Sequence, residues 1–199
     1  MKFKTKTDPL FLFFVFVQLF LFERNRVIEI LFQVWLLYYY TTLALRENIL
    51  RVNGSNINPW WIIHHYLSIA MCFCLLTWPV DANYVKFLPQ FLYFSGLQGI
   101  VQMLQNKYQS SKLYKLIAMG KADRMDVTSE LGSNIFSALG CSPGLTLLLP
   151  FLLLVQSFQI YNSFTLFNVA ISNENNVEWQ VLVCASLFFT LGLGKNNTN

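Results

Sequence analysis

Six long stretches without a charged side chain constrain what this chain can fold into. They cover residues 9–22, 30–45, 52–80, 87–106, 131–173 and 179–194. Charged residues make up only 12% of the chain, against about 25% in a typical soluble domain. Roughly 20 apolar residues in a helix cross a bilayer core about 30 Å thick, and continuous apolar runs favour helices over a barrel. The sequence therefore predicts an all-α, polytopic membrane protein with six transmembrane helices, at about 8–24, 28–45, 60–79, 88–107, 146–170 and 179–194.

The Lys and Arg residues are distributed unequally between the two sides of these spans. Eleven of the 14 fall on one side, and three, Arg24, Arg26 and Lys86, fall on the other. The positive-inside rule places the richer side, with both termini, in the cytosol. This divides the chain into a cytosolic N-terminus (1–7), a transmembrane domain (8–194) and a cytosolic tail (195–199). A signal peptide is an alternative interpretation of residues 2–22, but no small-residue cleavage site follows. Four tryptophans fall near predicted span ends, where indoles favour the membrane interface: Trp60, Trp61, Trp78 and Trp179.

Polar side chains inside the predicted spans recur at helical spacing. Three stripes can be drawn: Gln98, Gln102, Gln105 and Gln109; Gln156, Gln159 and Ser163; and His64, His65 and Ser68. Such groups either join helices by hydrogen bonds or line a polar cavity. His64, Gln105 and Tyr108 lie near cytosolic span ends, so a cavity formed by these stripes would open to the cytosol. The sequence leaves both interpretations open.

The adjacent histidines limit the chemistry that the chain can perform. With two histidines in all and no HxxxH, HxxHH or HExxH spacing, we expect no metal site. There is no Gly-x-Ser-x-Gly elbow, and no carboxylate is expected to orient His64 or His65, so we predict no catalytic residue. Ligand contact and simple packing have equal weight for this pair. The cysteines show no CxxC spacing and are expected as buried thiols.

Several motifs resemble the transmembrane protein 120 (TACAN-like) family and occur in that family's order. They are LRENIL at 45–50, NGS at 53–55, WWIIHHY at 60–66, LTWP at 76–79, MDVT at 125–128, TLFN at 165–168 and EWQVL at 178–182. The resemblance covers residues 24–194, with a poorer fit over 131–144. It implies a six-helix membrane domain similar to the fatty acid elongases, which binds coenzyme A in a cavity open to the cytosol.

The resemblance also implies which residues contact the cofactor. Carried over position by position, they are Ser55, Asn56, Trp61, His64, Gln105 and Tyr108, with Gln156 aligned less securely. Relative to the family, the chain is expected to lack the N-terminal coiled coil and the C-terminal tail. Part of the dimerisation surface and of the affinity for coenzyme A would be lost with them, and whether two copies still form a homodimer stays open.

Three functions compete at this point. The first is binding of coenzyme A or an acyl-CoA in lipid metabolism, where the missing HxxHH box counts against elongation chemistry and leaves enzyme activity undecided. The second is a mechanosensitive ion channel, although the central spans carry no charged residue away from their ends. The third is a structural protein of the nuclear envelope or the endoplasmic reticulum membrane. Membrane lipids are expected partners in each case, and the plasma membrane is a further expected location. The composition excludes a nucleic acid partner, because it offers no concentrated basic face.

Overall fold

In the computed structural model, every regular element among the described residues, which are 2–18, 25–55, 57–118, 143–172 and 178–194, is a helix. Within these ranges there are six α-helices: α1 (Lys2–Phe16), α2 (Arg26–Val52), α3 (Pro59–Thr77), α4 (Ala82–Ala118), α5 (Pro143–Ser172) and α6 (Trp179–Leu193). Each predicted span lies on one of them, and residues 19–24 of the first predicted span fall outside the described ranges. The predicted all-α class is confirmed for the described part of the chain.

Two of the described helices meet the length and composition expected of a membrane crossing. They are α2 and α3, and α6 is equally apolar in character but shorter. Large apolar side chains are nevertheless exposed on every helix, for example Phe13, Leu31, Phe73, Tyr93, Phe164 and Leu182. Contiguous exposed apolar surface is unfavourable in water and favourable against lipid chains.

Polar residues cap the starts of α2 and α3, and a glycine follows the end of α2. The side chain of Asn25 accepts a hydrogen bond at the start of α2, and that of Asn58 does so at the start of α3. Asn and Asp are preferred at such N-caps because their side-chain oxygens satisfy backbone N–H groups that have no partner in the first turn. After α2, Gly54 adopts φ 87°, a left-handed conformation that suits glycine. The backbone N–H of Ser55 then donates to the carbonyl of Leu50 at 3.0 Å, which turns the chain back toward α3.

The helices pack in an order that closes into a ring. Among the described residues, α2 packs on α3, α3 on α6, α6 on α5, α5 on α4 and α4 on α1. Aromatic side chains complete the circuit between α1 and α2, with ring centroids 5.8 Å apart for Phe11 and Phe32 and 5.6 Å apart for Phe14 and Trp35. Phe188 of α6 packs edge-on against Phe94 of α4, at 5.6 Å, inside this ring.

A polar cluster closes one end of the ring, where α2 begins, α3 ends and α4 begins. Arg26 donates to Glu29 at 3.2 Å, to the hydroxyl of Tyr84 at 2.8 Å and to the carbonyl of Trp78 at 3.1 Å. Tyr84 in turn donates to Glu29 at 3.1 Å. Burial, and then the charge of Glu29, raise the pKa of Tyr84 above its ordinary value, so this phenol remains a donor in alkaline solution as well as at neutral pH. We call Arg26, Glu29 and Tyr84 the end clamp.

Trp78 lies beside the end clamp, at the end of α3 as predicted, but it is buried and not exposed at a membrane interface. The sequence places it among the interfacial tryptophans, whereas the structure leaves 1% of it exposed. Its ring stacks on Phe87 at 6.0 Å and meets Tyr84 edge-on at 5.6 Å. The proline that follows ends α3 and turns the indole inward, so that Trp78 fills the end of the ring.

Candidate functional site

A cavity of about 60 Å³ lies inside the ring and is lined by side chains from all six described helices. At the roughly 10–15 Å³ needed per water molecule, it has room for about four to six non-hydrogen atoms. Its apolar wall is formed largely by aromatic and aliphatic side chains. Its polar wall is formed by Tyr40, His64, Ser68, Ser95, Gln98 and Gln159. A slender polar group fits such a space, and a nucleotide does not.

Each of the three predicted polar stripes contributes to this cavity, but not along its whole length. Gln98 of α4, Gln159 of α5 and His64 of α3 reach the wall. Gln102 instead donates to the hydroxyl of Tyr39 on α2, so it joins two helices. The two interpretations left open by the sequence therefore both apply, to different members of the same stripe.

The residues around Trp61 form a cluster of aromatic rings at the start of α3. The indole of Trp61 stacks on the imidazole of His64, with centroids 5.4 Å apart and planes 8° apart. His65 meets both rings edge-on, at 5.6 Å from Trp61 and 5.8 Å from His64. Trp61 and His64 are half-buried, whereas His65 is buried. A flat, partly exposed aromatic surface thus stands next to the cavity wall.

A carboxylate lies beside the histidine pair, which corrects the expectation that none does. Oε2 of Glu47 approaches Nε2 of His65 to 3.0 Å, and the two side chains are 6% and 4% exposed. The approach lacks the straight geometry of a hydrogen bond, and it is an ion pair only when the imidazole is protonated. Sequence reasoning missed it because the second span was predicted to end at 45, whereas α2 continues to Val52 and carries Glu47 into the contact with α3.

The hairpin geometry contained a signal that could have revealed this contact. In an antiparallel helix pair, residues at equal distances from the turn face each other. Glu47 lies five residues before the end of α2 at Val52, and His65 lies six residues after the start of α3 at Pro59, so their distances from the turn differ by one residue. The residues that follow these two in the chain also meet, since Asn48 donates to the hydroxyl of Tyr66 at 2.9 Å.

The predicted cofactor residues fall into two groups. Ser55, Trp61 and His64 lie on the turn between α2 and α3 and on α3 itself. Gln105 and Tyr108 lie near the end of α4, half-buried, and α4 is placed between α1 and α5 in the ring. Asn56 lies outside the described residues. Ser55 is 6% exposed, and its hydroxyl has no hydrogen-bond partner within the described part of the chain.

Metal-ligating side chains do not cluster in the described ranges, where no group of three His, Cys, Asp or Glu residues is arranged to hold an ion. Cys72, Cys74 and Cys184 are free and buried. The contacts that the described site offers are hydrogen bonds, aromatic surfaces and one buried contact between a carboxylate and an imidazole.

Comparison of the sequence with known proteins identifies the family of this chain. The model of the TMEM120A/B family matches residues 1–199. The chain is 53% identical over 193 residues to a transmembrane protein 120 homolog of Dictyostelium discoideum. The aligned region covers 97% of this chain and 52% of that protein. It is 44% identical over 193 residues to transmembrane protein 120A-A of Danio rerio (97% of this chain, 54% of that protein). Transmembrane protein 120B of Homo sapiens is 44% identical over 169 residues, with 85% of this chain and 48% of the human protein covered.

These matches extend the resemblance that the motifs indicated. The family match runs beyond both ends of the predicted range 24–194, so that range was too short. Residues 131–144, predicted to fit poorly, fall within the family match, and all of them except the first two residues of α5 lie outside the described residues. The chain spans about half the length of the curated relatives it matches. With a family match over the whole chain and relatives above 40% identity, the chain belongs to the transmembrane protein 120 family.

Proposed function

We propose that this chain is the six-span, elongase-like membrane domain of a coenzyme A-binding protein, with its cavity open to the cytosol. The observation that carries the proposal is the cavity enclosed by all six described helices, with a polar wall and with the Trp61–His64 stack beside it. A pocket that is mostly apolar with a few placed polar groups is typical of a small-molecule site.

Six membrane crossings are supported by the outer surface of the ring. All six helices expose large apolar side chains outward, and successive helices in a six-span bundle alternate in direction. The α2–α3 turn then lies on the same side as both termini, and the end clamp lies on the other. The excess of Lys and Arg on the first side assigns it to the cytosol.

Coenzyme A combines a phosphorylated nucleotide with a slender arm that ends in a thiol. The cavity is wide enough for the end of such an arm, and the nucleotide would remain at the cytosolic mouth. The buried Ser55 hydroxyl fits this ligand, since a buried polar group without a partner is unfavourable and a ligand oxygen would satisfy it. Arg46, Arg51 and Lys107 lie near the same end of the helices and could pair with phosphates.

The roles of the remaining residues follow from their chemistry. Trp61 offers its indole as a packing surface, His64 offers a hydrogen bond at the cavity wall, and Gln105 and Tyr108 offer polar contacts from α4. When bound, coenzyme A would supply a thiol that carries acyl groups as thioesters. We propose binding rather than elongation, because the HxxHH spacing of the elongases is missing.

An ion channel is the weaker candidate. Conduction needs a water-filled path from one side of the membrane to the other. The end clamp and the fully buried Trp78 occupy the ring at one end, and no ring of charged side chains lines the described cavity.

Mass spectrometry of small molecules released from the detergent-purified chain tests this function. We expect coenzyme A or an acyl-CoA in near-stoichiometric amount, and none from an unrelated membrane protein purified in the same way. A folded sample that releases no such compound, and that also shows no calorimetric binding of added coenzyme A, would contradict the proposal.

A further inference from the structure

Glu47 and His65 form a buried pair of ionisable side chains that the proposed ligand contacts leave unused. Both belong to helices long and apolar enough to cross a membrane. Removing a carboxylate from water is strongly unfavourable unless a partner compensates, and an ionisable residue inside a membrane domain is by default a candidate for function. A glutamine at position 47 would avoid this cost. The presence of a buried carboxylate instead makes Glu47 a candidate for a functional role.

The carboxylate determines where the imidazole carries its proton. The carboxylate oxygen Oε2 of Glu47 lies 3.0 Å from Nε2 of His65, and its negative charge repels the electron pair that this nitrogen carries when it is unprotonated. This repulsion favours a proton on Nε2. Within the described residues, neither ring nitrogen of His65 makes a hydrogen bond of good geometry, so the close contact with Glu47 is the polar interaction that acts on the orientation of this ring.

The orientation of His65 bears directly on the wall of the cavity. Its ring contacts Trp61 and His64 edge-on, and it lies 6.1 Å from the ring of Tyr40. Tyr40 and His64 line the cavity, whereas His65 lies behind them. A rotation of the His65 ring would therefore displace the rings that face the ligand.

We propose that Glu47 and His65 are positioning residues, which hold the Trp61–His64 stack in the arrangement that receives the ligand. This inference rests on the proposed binding of coenzyme A. It assigns Glu47 no contact with the ligand, and it predicts that the affinity depends on the imidazole and its charged partner. A pair that only joined α2 to α3 would influence folding and leave the affinity unchanged.

The test compares variants of the full chain in detergent by calorimetric titration with coenzyme A. Glu47→Ala should weaken binding about tenfold or more, as is usual when a group that orients a binding residue is removed. Glu47→Gln keeps the size and one acceptor and should recover part of the affinity. The double variant Glu47→Gln/His65→Gln retains an amide pair between the helices but no imidazole, and should bind about tenfold more weakly. Tyr66→Phe, which removes the neighbouring Asn48–Tyr66 bond of the same hairpin, should bind like the native chain.

Nuclear magnetic resonance of histidine labelled with ¹⁵N provides a second measurement, because the chain has two histidines. His64→Gln assigns the two imidazoles. We expect a proton on Nε2 of His65 in the native chain and a changed ring signal in Glu47→Ala. A native chain that binds coenzyme A, together with folded Glu47→Ala and double variants whose affinities stay within twofold of it, would overturn the positioning role. A native chain that does not bind would overturn the proposed function instead.

Discussion

Trp61 is the residue whose removal should most directly affect the ligand. Its indole lies on His64 at 5.4 Å and remains partly exposed beside the cavity. If this surface packs on coenzyme A, Trp61→Ala should weaken binding by about 1 to 3 kcal/mol, the usual cost of losing a packed aromatic contact. Calorimetric titration measures the change.

Trp179 supplies the matched control for this experiment. It is 54% exposed at the start of α6, at the end of the ring that carries the end clamp, so Trp179→Ala should leave the affinity unchanged. Equal affinities for the native chain and Trp61→Ala would show that the indole does not contact the ligand.

Tyr84 is the residue on which the end clamp depends. Its hydroxyl accepts from Arg26 and donates to Glu29, at 2.8 and 3.1 Å. Tyr84→Phe should lower the free energy of unfolding by about 1 to 3 kcal/mol, because it removes two hydrogen bonds to charged groups. Tyr93→Phe on the same helix, 63% exposed, should change it by less than about 0.5 kcal/mol. Thermal unfolding in detergent distinguishes the two, and similar stabilities would mean that the clamp contributes little.

Individual contacts of this kind were only partly predictable from the sequence. The helical spacing of Gln98, Gln159 and His64 indicated an inward face, and all three reach the cavity. Glu47 was not recognised, because a charge that follows an apolar run was taken to mark the end of the span. Trp78 was assigned to the interface, because sequence position does not show which way a residue at a helix end turns.

At the scale of elements, small residues determine how closely α1 and α4 approach. A methyl group at Gly99 would overlap the ring of Phe11 and lie 2.9 Å from Leu12. Phe11 is 7% exposed and packed against Phe32, so it has little room to move. Gly99→Ala should therefore destabilise the chain by about 1 to 3 kcal/mol, as overpacking does, despite the better helix propensity of alanine.

Gly96 on the same helix is the control for Gly99. A methyl group there would lie 3.4 Å from Val15, close to ordinary contact, so Gly96→Ala should leave stability unchanged or slightly raise it. Melting temperatures of the two variants in the same detergent compare them. Equal stability of Gly99→Ala and Gly96→Ala would show that Phe11 and Leu12 can move away from position 99 at little energetic cost.

The positions of the helices were predictable, but their ends were not. Each apolar run contains a helix, because a backbone in lipid has to satisfy its hydrogen bonds internally. The helices α2 and α4 nevertheless continue to Val52 and Ala118, past predicted ends at 45 and 107. A charged residue was therefore a poor guide to the end of a helix, because a charged side chain at the surface does not interrupt the backbone hydrogen bonds that continue the helix.

At the scale of the whole molecule, the order of helices around the ring was beyond the sequence. Periodicity shows which face of a helix points inward, but not which helix lies beside it. The contact between α3 and α6 joins segments about a hundred residues apart, where the amide of Gln180 donates to the carbonyl of Thr77 at 3.3 Å. Closing these segments into a ring is what encloses the cavity.

The six-span arrangement makes a prediction about sidedness. Val52 ends α2 and is 88% exposed, and Val80 follows α3 and is 59% exposed. If α3 crosses the membrane, these positions lie on opposite sides, with Val52 in the cytosol according to the positive-inside rule. Single cysteines at the two positions, in a chain that also carries Cys141→Ser, can be labelled with a membrane-impermeant maleimide in sealed vesicles whose cytosolic face is outward.

The labelling pattern separates topology from orientation. Val52→Cys should react in sealed vesicles, and Val80→Cys only after detergent is added. The parent chain should react little in either case, because Cys72, Cys74 and Cys184 are buried. Labelling of both positions in sealed vesicles would mean that α3 does not cross the membrane, which removes the basis for a six-span ring. The reverse pattern would keep the ring and turn the mouth of the cavity, with Ser55 and Trp61, away from cytosolic coenzyme A.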